Sequence, residues 1–182
     1  MILYVNSCVR ENSRTDKIAK AVLSKLSEEY TELYLPDENL QPLSREKLEK
    51  RTELIEQGDY NNSMFRYAKQ FASADKIVIS APYWDLSFPA ILKLYIENVY
   101  VTGIVSEYSE NGMPHGLCRA DELIYITTAG GPYNPDFSFG YFSELAKNFF
   151  GIPKVTLIKA EMLDVEGFNA EEIVSKTIEN TI

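Results

Sequence analysis

The sequence is poor in the residues that most hydrolytic and metal centres use. It contains one histidine, His115, and two cysteines, Cys8 and Cys118, that lie far apart. This set has no zinc-binding spacing and argues against a Ser-His-Asp relay, so we expect no metal site and no protein nucleophile. We also expect no signal peptide, and no apolar run in the sequence is long enough to span a bilayer. We therefore expect a cytoplasmic protein with both thiols reduced.

Positive charge and the common nucleotide motifs are also scarce. The 18 Lys and Arg residues against 27 Asp and Glu residues give a formal net charge of -9. Such a charge repels nucleic acid and anionic membranes, so an anionic ligand must be held locally. Neither GxGxxG nor GxxxxGK[ST] occurs, which removes the main support for a dinucleotide or nucleoside-triphosphate site. The length of 182 residues predicts one domain, residues 1–182.

Apolar runs and helical patterns alternate along the chain. Strands are predicted at residues 2–5, 31–35, 75–82, 122–128 and within 151–160. Helices are predicted at residues 15–29, 44–56, 63–73, 90–100, 137–150 and 170–178. Asn111-Gly112 predicts a hairpin inserted after the third helical region, before the fourth strand. This order is typical of an α/β doubly wound parallel sheet with five strands in the order 2-1-3-4-5.

Three loops that follow predicted strands have distinctive chemistry. After the first strand, Ser7 and Ser13 precede a helix whose free N–H groups suit a phosphate. After the third strand, residues 83–88 cluster aromatic side chains that suit a flat ring. After the fourth strand, Gly130-Gly131 allows close approach of the backbone. Because these carboxyl ends lie side by side in the predicted sheet, together they indicate a flavin mononucleotide (FMN).

With these loops the sequence resembles the flavodoxin-like family of FMN-dependent NADH-azoreductases and NAD(P)H:quinone oxidoreductases. The likeness covers nearly the whole chain. Its motifs occur in the family's order: Ser7, Ser13-Arg14-Thr15, Ala81-Pro82-Tyr83-Trp84, Phe88-Pro89, Leu92-Lys93, Tyr108-Ser109-Glu110-Asn111-Gly112 and Thr128-Ala129-Gly130-Gly131. The resemblance implies a flavodoxin-like fold and a homodimer with FMN sites at the subunit interface.

The resemblance also implies which residues contact the cofactor. The phosphate is expected in the loop of Ser7, Ser13 and Thr15, with Arg14 among the cofactor-binding residues. Residues of the second and third loops are expected at the ring: Pro82, Tyr83, Trp84, Asp85, Leu86, Thr128, Ala129, Gly130, Gly131 and Tyr133. Tyr108, on the hairpin, is expected to reach toward a flavin, either in its own subunit or in the partner.

The loop after the third strand departs from the family pattern. Azoreductases usually have Met-Tyr-Asn-Phe where this chain has Tyr83-Trp84-Asp85-Leu86. A carboxylate facing the ring would oppose added negative charge and lower the flavin reduction potential. We therefore expect the Asp85 side chain to turn away or to cap the next helix, while its backbone N–H serves the flavin.

The helix at residues 90–100 is apolar on two sides. Ile91, Leu94 and Tyr95 form one side, and Leu92, Ile96 and Val99 form the other. One side is expected on the sheet and the other on a second copy of the chain across a two-fold axis. The alternative is a helix buried wholly in its own core.

The expected activity is an FMN-dependent oxidoreductase that takes electrons from NADH or NADPH and passes two to a quinone or azo acceptor by a ping-pong mechanism. The alternative is a flavodoxin-type carrier that binds FMN and is reduced by a partner protein. A hydrolase or a flavin-free regulatory domain would need a nucleophile with its base, which His115 does not supply.

Overall fold

The computed structural model describes residues 1–181 and contains two sheets. Five parallel strands form the larger sheet: β1 (Ile2–Asn6), β2 (Tyr30–Tyr34), β3 (Lys76–Ser80), β6 (Glu122–Thr128) and β7 (Lys154–Ala160). Two antiparallel strands form the smaller one: β4 (Ser106–Tyr108) and β5 (Pro114–Gly116). The larger sheet has the order β2-β1-β3-β6-β7. This confirms the predicted order 2-1-3-4-5, with the hairpin inserted between the third and fourth strands of the sheet.

Helices connect the parallel strands, and one more follows the last strand. They are α1 (Arg14–Leu26), α2 (Arg45–Glu56), α3 (Arg66–Ser73), α4 (Ala90–Val99), α5 (Phe139–Leu145) and α6 (Ala170–Glu179). A π-helical turn, Ala146–Phe150, extends α5, and short 3-10 turns occupy Leu35–Asp37 and Ser63–Phe65. The first helix ends earlier than predicted because Ser27 is left-handed, with φ 54°, and donates its N–H to the Leu23 carbonyl.

The sheet has a separate core on each face. On one face β-strand residues including Tyr4, Val78 and Ile124 pack against α1 and α6. On the other face residues such as Val5 and Ile79 pack with α3, α4 and α5. Successive strand side chains alternate between these cores, which is why the strand sequences are apolar almost throughout.

Helix α4 packs both apolar sides against its own chain. Tyr95, predicted on the same side as Ile91 and Leu94, is fully buried. Ile91 and Leu94 remain half-buried and also contact the core. The helix therefore has intramolecular partners on both sides, and only the partly exposed strip with Ile91 and Leu94 is left for a second copy.

The hairpin is fixed to the end of the α5 segment. Its turn contains Gly112, whose φ is 76° and whose N–H donates to the Ser109 carbonyl. At its base, Gly116 packs directly on the backbone of Phe150 and Gly151, and Cys118 donates its N–H to the Phe150 carbonyl at 3.2 Å. Any Cβ at residue 116 would overlap that backbone.

We predict that Gly116→Ala destabilises the protein by about 1 to 3 kcal/mol, because the overlapping atoms belong to backbone and cannot rotate away. The matched control is Gly131→Ala, where a Cβ meets no atom within 4 Å. Urea unfolding of both variants measures the difference. Equal midpoints for the two variants would contradict this account of the hairpin base.

Candidate functional site

The carboxyl ends of β1, β3 and β6 open into one cleft of about 370 Å³. All three of the predicted loops contribute to its wall. The lining residues are Cys8, Val9, Arg10, Asn12, Ser13, Arg14, Thr15, Pro82, Tyr83, Trp84, Thr128, Ala129, Gly130, Leu163 and Asp164. A second cleft of similar volume lies beside α2 and α3, and it contains none of the predicted site residues.

One end of the cleft is built on the first turn of α1. Ser13 is the N-cap, and its hydroxyl oxygen accepts the N–H of Asp16 at 3.3 Å. The hydroxyl hydrogen therefore remains to be donated. The first intrahelical bond runs from the Lys17 N–H to the Ser13 carbonyl at 3.0 Å. The N–H groups of Arg14 and Thr15 lie before it and therefore have no partner within the helix. These donors and the positive end of the helix dipole favour an anion.

A partly buried polar network holds this end in place. The Asp16 carboxylate accepts from the Tyr4 hydroxyl at 2.6 Å and from the Asn6 amide at 3.1 Å, and pairs with Lys20 at 2.8 Å. Asn6 in turn accepts the Cys8 N–H at 3.0 Å. Burial, aided by the bond to Asp16, raises the pKa of Tyr4, so its phenol stays a donor at neutral pH. The network thus fixes both ends of the loop between β1 and α1.

Ser7, predicted as a phosphate contact, is not among the residues that line the cleft. Its side chain is fully buried, and its hydroxyl donates to the Ser80 carbonyl at 2.8 Å. The Ser7 N–H donates to the same carbonyl at 3.0 Å. Ser7 therefore extends the pairing of β1 with β3 by one residue. Thr15 does line the cleft, where its hydroxyl lies 2.7 Å from that of Thr128 and joins the first loop to the third.

The aromatic end of the cleft rests on a tight turn. Trp84 and Ser87 exchange two backbone hydrogen bonds, at 3.1 and 2.8 Å. Between them, Asp85 and Leu86 are left-handed, with φ values of 50° and 66°. Positive φ at both central positions is the pattern of a type I′ turn, which normally takes glycine or asparagine. Leucine in this conformation costs about 1 to 2 kcal/mol, and such strain concentrates at functional sites.

Asp85 does not cap the following helix. The N-cap of α4 is Pro89, and it has no side-chain cap. The capping alternative for Asp85 is therefore wrong, because the turn ends at Ser87 and leaves Asp85 at its exposed tip. Leu86 is exposed beside it, and neither residue is among those lining the cleft.

The glycine loop is supported by a segment that was not predicted. Residues 162–164, after β7, donate three backbone N–H groups to the carbonyls of residues 129–131, at 2.9 to 3.2 Å. A Cβ on Gly130 would lie 2.5 Å from the Asp164 carboxylate, so glycine is what lets this segment approach. Asp164 also pairs with Arg14 at 2.8 Å and so links the glycine loop to α1.

Tyr133 and Tyr108, both predicted near the flavin, lie outside the cleft wall. Tyr133 is nearly buried and bonds through its hydroxyl to Ser138 at 2.8 Å, while its ring packs edge-on against Tyr83 with centroids 4.8 Å apart. It therefore supports the Tyr83 side of the cleft. Tyr108 is exposed on the hairpin, with its hydroxyl 3.3 Å from that of Tyr100.

The structure gives little support for a metal site, a cysteine nucleophile or a membrane-spanning helix. Within residues 1–181, no group of three His, Cys, Asp or Glu side chains is arranged to hold a metal ion. Burial raises the pKa of the Cys8 thiol, so this cysteine is not a thiolate nucleophile at neutral pH. Across the same residues, no helix combines the length and apolar character that crossing a membrane requires.

Several sequence and structure comparisons converge on one group of proteins. A family model described as "Flavodoxin-like fold" matches residues 1–181. The "FMN-dependent NADH:quinone oxidoreductase" of Clostridium perfringens is 37% identical over 190 residues, covering 100% of this chain and 96% of that protein.

Solved structures give the same fold. An azoreductase from Bacillus anthracis superposes with a TM-score of 0.84 at 24% identity, covering 99% of this chain and 95% of that one. An FMN-dependent NADH-azoreductase of the same species, solved in complex with FMN, gives 0.79 at 22% identity, with 99% and 94% covered. At these identities the likeness concerns the fold.

Proposed function

This chain belongs to the flavodoxin-like family, and from that premise we propose that it is an FMN-dependent NADH:quinone oxidoreductase that also accepts azo compounds. The observation that carries the proposal is the convergence of three loops with complementary chemistry on one cleft. The names of the relatives favour NADH as the donor.

The donors at the cleft fit a flavin mononucleotide. We propose that the Ser13 hydroxyl and the N–H groups of Arg14 and Thr15 hold the phosphate, since all three donors lack a partner in the helix. Tyr83 and Trp84 supply an apolar wall for the ring. Most backbone groups of residues 128–131 are already paired, so we propose that the N–H groups of Gly130 and Gly131 serve the edge of the ring, and a Cβ on Gly131 would meet open space.

When bound, the cofactor would supply a two-electron relay between NADH and the acceptor. The balanced reaction is NADH, a proton and a quinone giving NAD⁺ and a hydroquinone. The chain itself has to bind, orient and expose the ring, because this chemistry requires no protein nucleophile. The hydrogen-bonded network around Asp16 is suited to orientation, because it holds the loop between β1 and α1.

The rival proposal is a flavodoxin-type carrier, and reduction by free NADH separates the two. We expect the purified protein to bind one FMN per chain, to lose flavin absorbance when mixed anaerobically with NADH, and to regain it when a quinone is added. Parallel double-reciprocal plots would support the ping-pong order. If the protein binds FMN but its flavin absorbance is unchanged by both NADH and NADPH, the enzyme proposal is wrong and the flavodoxin-type carrier is favoured.

We also propose that the protein is a cytosolic homodimer. In this dimer Tyr108 contributes to an FMN site, either that of its own subunit or that of the partner. Support comes from exposed apolar side chains on and after the hairpin, Tyr108, Met113 and Leu117, and from the half-buried strip on α4. Light scattering should give roughly twice the chain mass of 20.7 kDa. A monomeric mass would contradict the proposed dimer and would leave the proposed binding of FMN unaffected.

A further inference from the structure

Two loops beside the aromatic end of the cleft form a single surface. The Ser87 hydroxyl donates to the Phe137 carbonyl at 2.8 Å, and the Asn134 N–H donates to the Tyr83 hydroxyl at 3.4 Å. Three large apolar side chains are exposed on the joined loops: Trp84 at 37%, Leu86 at 62% and Phe137 at 59%. We call these three residues the acceptor platform.

The two loops that carry the platform have charged side chains of one sign only. Residues 82–89 and 130–139 include Asp85 and Asp136 and contain no lysine, arginine or histidine. Both aspartates are exposed. Throughout residues 1–181, no cationic group lies within ion-pair distance of either carboxylate, so neither is compensated by a salt bridge.

Of three cations in this region, two are paired with carboxylates, and the third, Arg10, lines the cleft with no ion pair within residues 1–181. Lys159 lies over the Tyr133 ring at 5.7 Å but is paired with Glu161. Arg14 is paired with Asp164, and Arg10 belongs to the loop before α1. A ligand on the platform therefore meets aromatic and aliphatic surface bordered by two carboxylates.

We propose that this platform selects uncharged or cationic aromatic acceptors and disfavours anionic ones. The proposal rests on the proposed function, because it concerns the acceptor of the same site. Flat apolar rings gain from contact with Trp84, Leu86 and Phe137, whereas a sulfonate or carboxylate on the ring is repelled by Asp85 and Asp136. At surface distances one such charge changes kcat/KM for a charged acceptor by about two- to fivefold.

The test uses charge variants at Asp136, which lies outside the cleft wall and whose side chain has no hydrogen-bond partner elsewhere in residues 1–181. Asp136→Asn and Asp136→Lys are compared at saturating NADH with two acceptors, naphthoquinone and naphthoquinone sulfonate. The matched control, Glu49→Lys, makes the same charge change on an exposed position of α2.

We expect Asp136→Lys to raise kcat/KM for the sulfonate by about five- to twentyfold and Asp136→Asn by about two- to fivefold, with naphthoquinone unchanged. Added salt should raise the sulfonate value of the unmodified protein and not that of Asp136→Lys. Glu49→Lys should leave kcat/KM unchanged for both acceptors.

Several results would overturn the proposal. In the first, Asp136→Lys still reduces naphthoquinone, but the ratio of its kcat/KM values for the sulfonate and for naphthoquinone is unchanged. That result would overturn the acceptor preference and leave the proposed function intact. Another is an equal effect of Glu49→Lys, which would assign the preference to net charge. A third is a changed oligomeric state in Asp136→Lys with an unchanged ratio, which would make the platform an interface between copies. Failure of NADH to reduce any acceptor would instead overturn the proposed function itself.

Discussion

Replacing Ser13 with aspartate is expected to weaken FMN binding at least about 100-fold, through a lost hydrogen bond to a charged group and repulsion between two anions. Ser13 caps α1 and lines the cleft, and its hydroxyl hydrogen is not used by the cap bond. Aspartate caps a helix as well as serine does, so α1 should remain folded. The substitution therefore changes the charge at the proposed phosphate position with little change in the scaffold.

Two controls make this prediction specific. Ser13→Asn keeps a neutral cap and should weaken FMN binding far less than Ser13→Asp. Riboflavin, which lacks the phosphate, should bind Ser13→Asp and the unmodified protein about equally. Quenching of flavin fluorescence during titration measures all of these affinities. If Ser13→Asp lost riboflavin and FMN to the same extent, the phosphate would have to be placed elsewhere.

The sequence was sufficient to predict the fold because its local patterns agree with one another. Apolar runs such as residues 122–128 are expected of strands covered on both faces, and β6 has those same bounds. Ser13 precedes the first predicted helix and Ser44 begins the second, and both are N-caps in the structure. Once five strands alternate with helices, few topologies remain, and the doubly wound order brings the three loops together.

What the sequence could not supply was the direction of individual side chains beyond the strand ends. Ser7 follows the last residue of β1, and nothing in its neighbours indicates that its hydroxyl turns to the Ser80 carbonyl. The segment at residues 162–164 was missed for a related reason. Its contribution depends on backbone bonds to residues 129–131 and on the pairing of Asp164 with Arg14, and neither leaves a local sequence pattern.

The amino end of the sheet, opposite the cleft, contains a buried carboxylate with three donors. Glu122 has a side chain that is only 9% exposed, and it accepts from Lys76 at 2.6 Å, from Lys154 at 2.9 Å and from Thr156 at 2.7 Å. Burial alone would raise its pKa, but the bonds from these three side chains outweigh that effect and lower the pKa to about 2.

This shift makes folding depend on pH in a defined direction. The carboxylate form is favoured in the folded chain, so the stabilisation is complete above the unfolded pKa of 4.5 and is lost as pH falls toward about 2. This difference between the folded and unfolded pKa of Glu122 contributes up to about 3 kcal/mol to the free energy of unfolding. Glu122→Gln should remove most of it at neutral pH and flatten the loss of stability between those two pH values.

The matched control is Glu172→Gln, which breaks the exposed pair of Glu172 with Lys176 on α6. Exposed pairs contribute little, so this variant should unfold like the unmodified protein. Urea unfolding across the acidic range measures all three proteins, and FMN titration should give the same affinity for each because β6 carries Glu122 at the end away from the cleft. An unchanged pH dependence in Glu122→Gln would mean that Lys76 and Lys154 stabilise the fold without relying on this carboxylate.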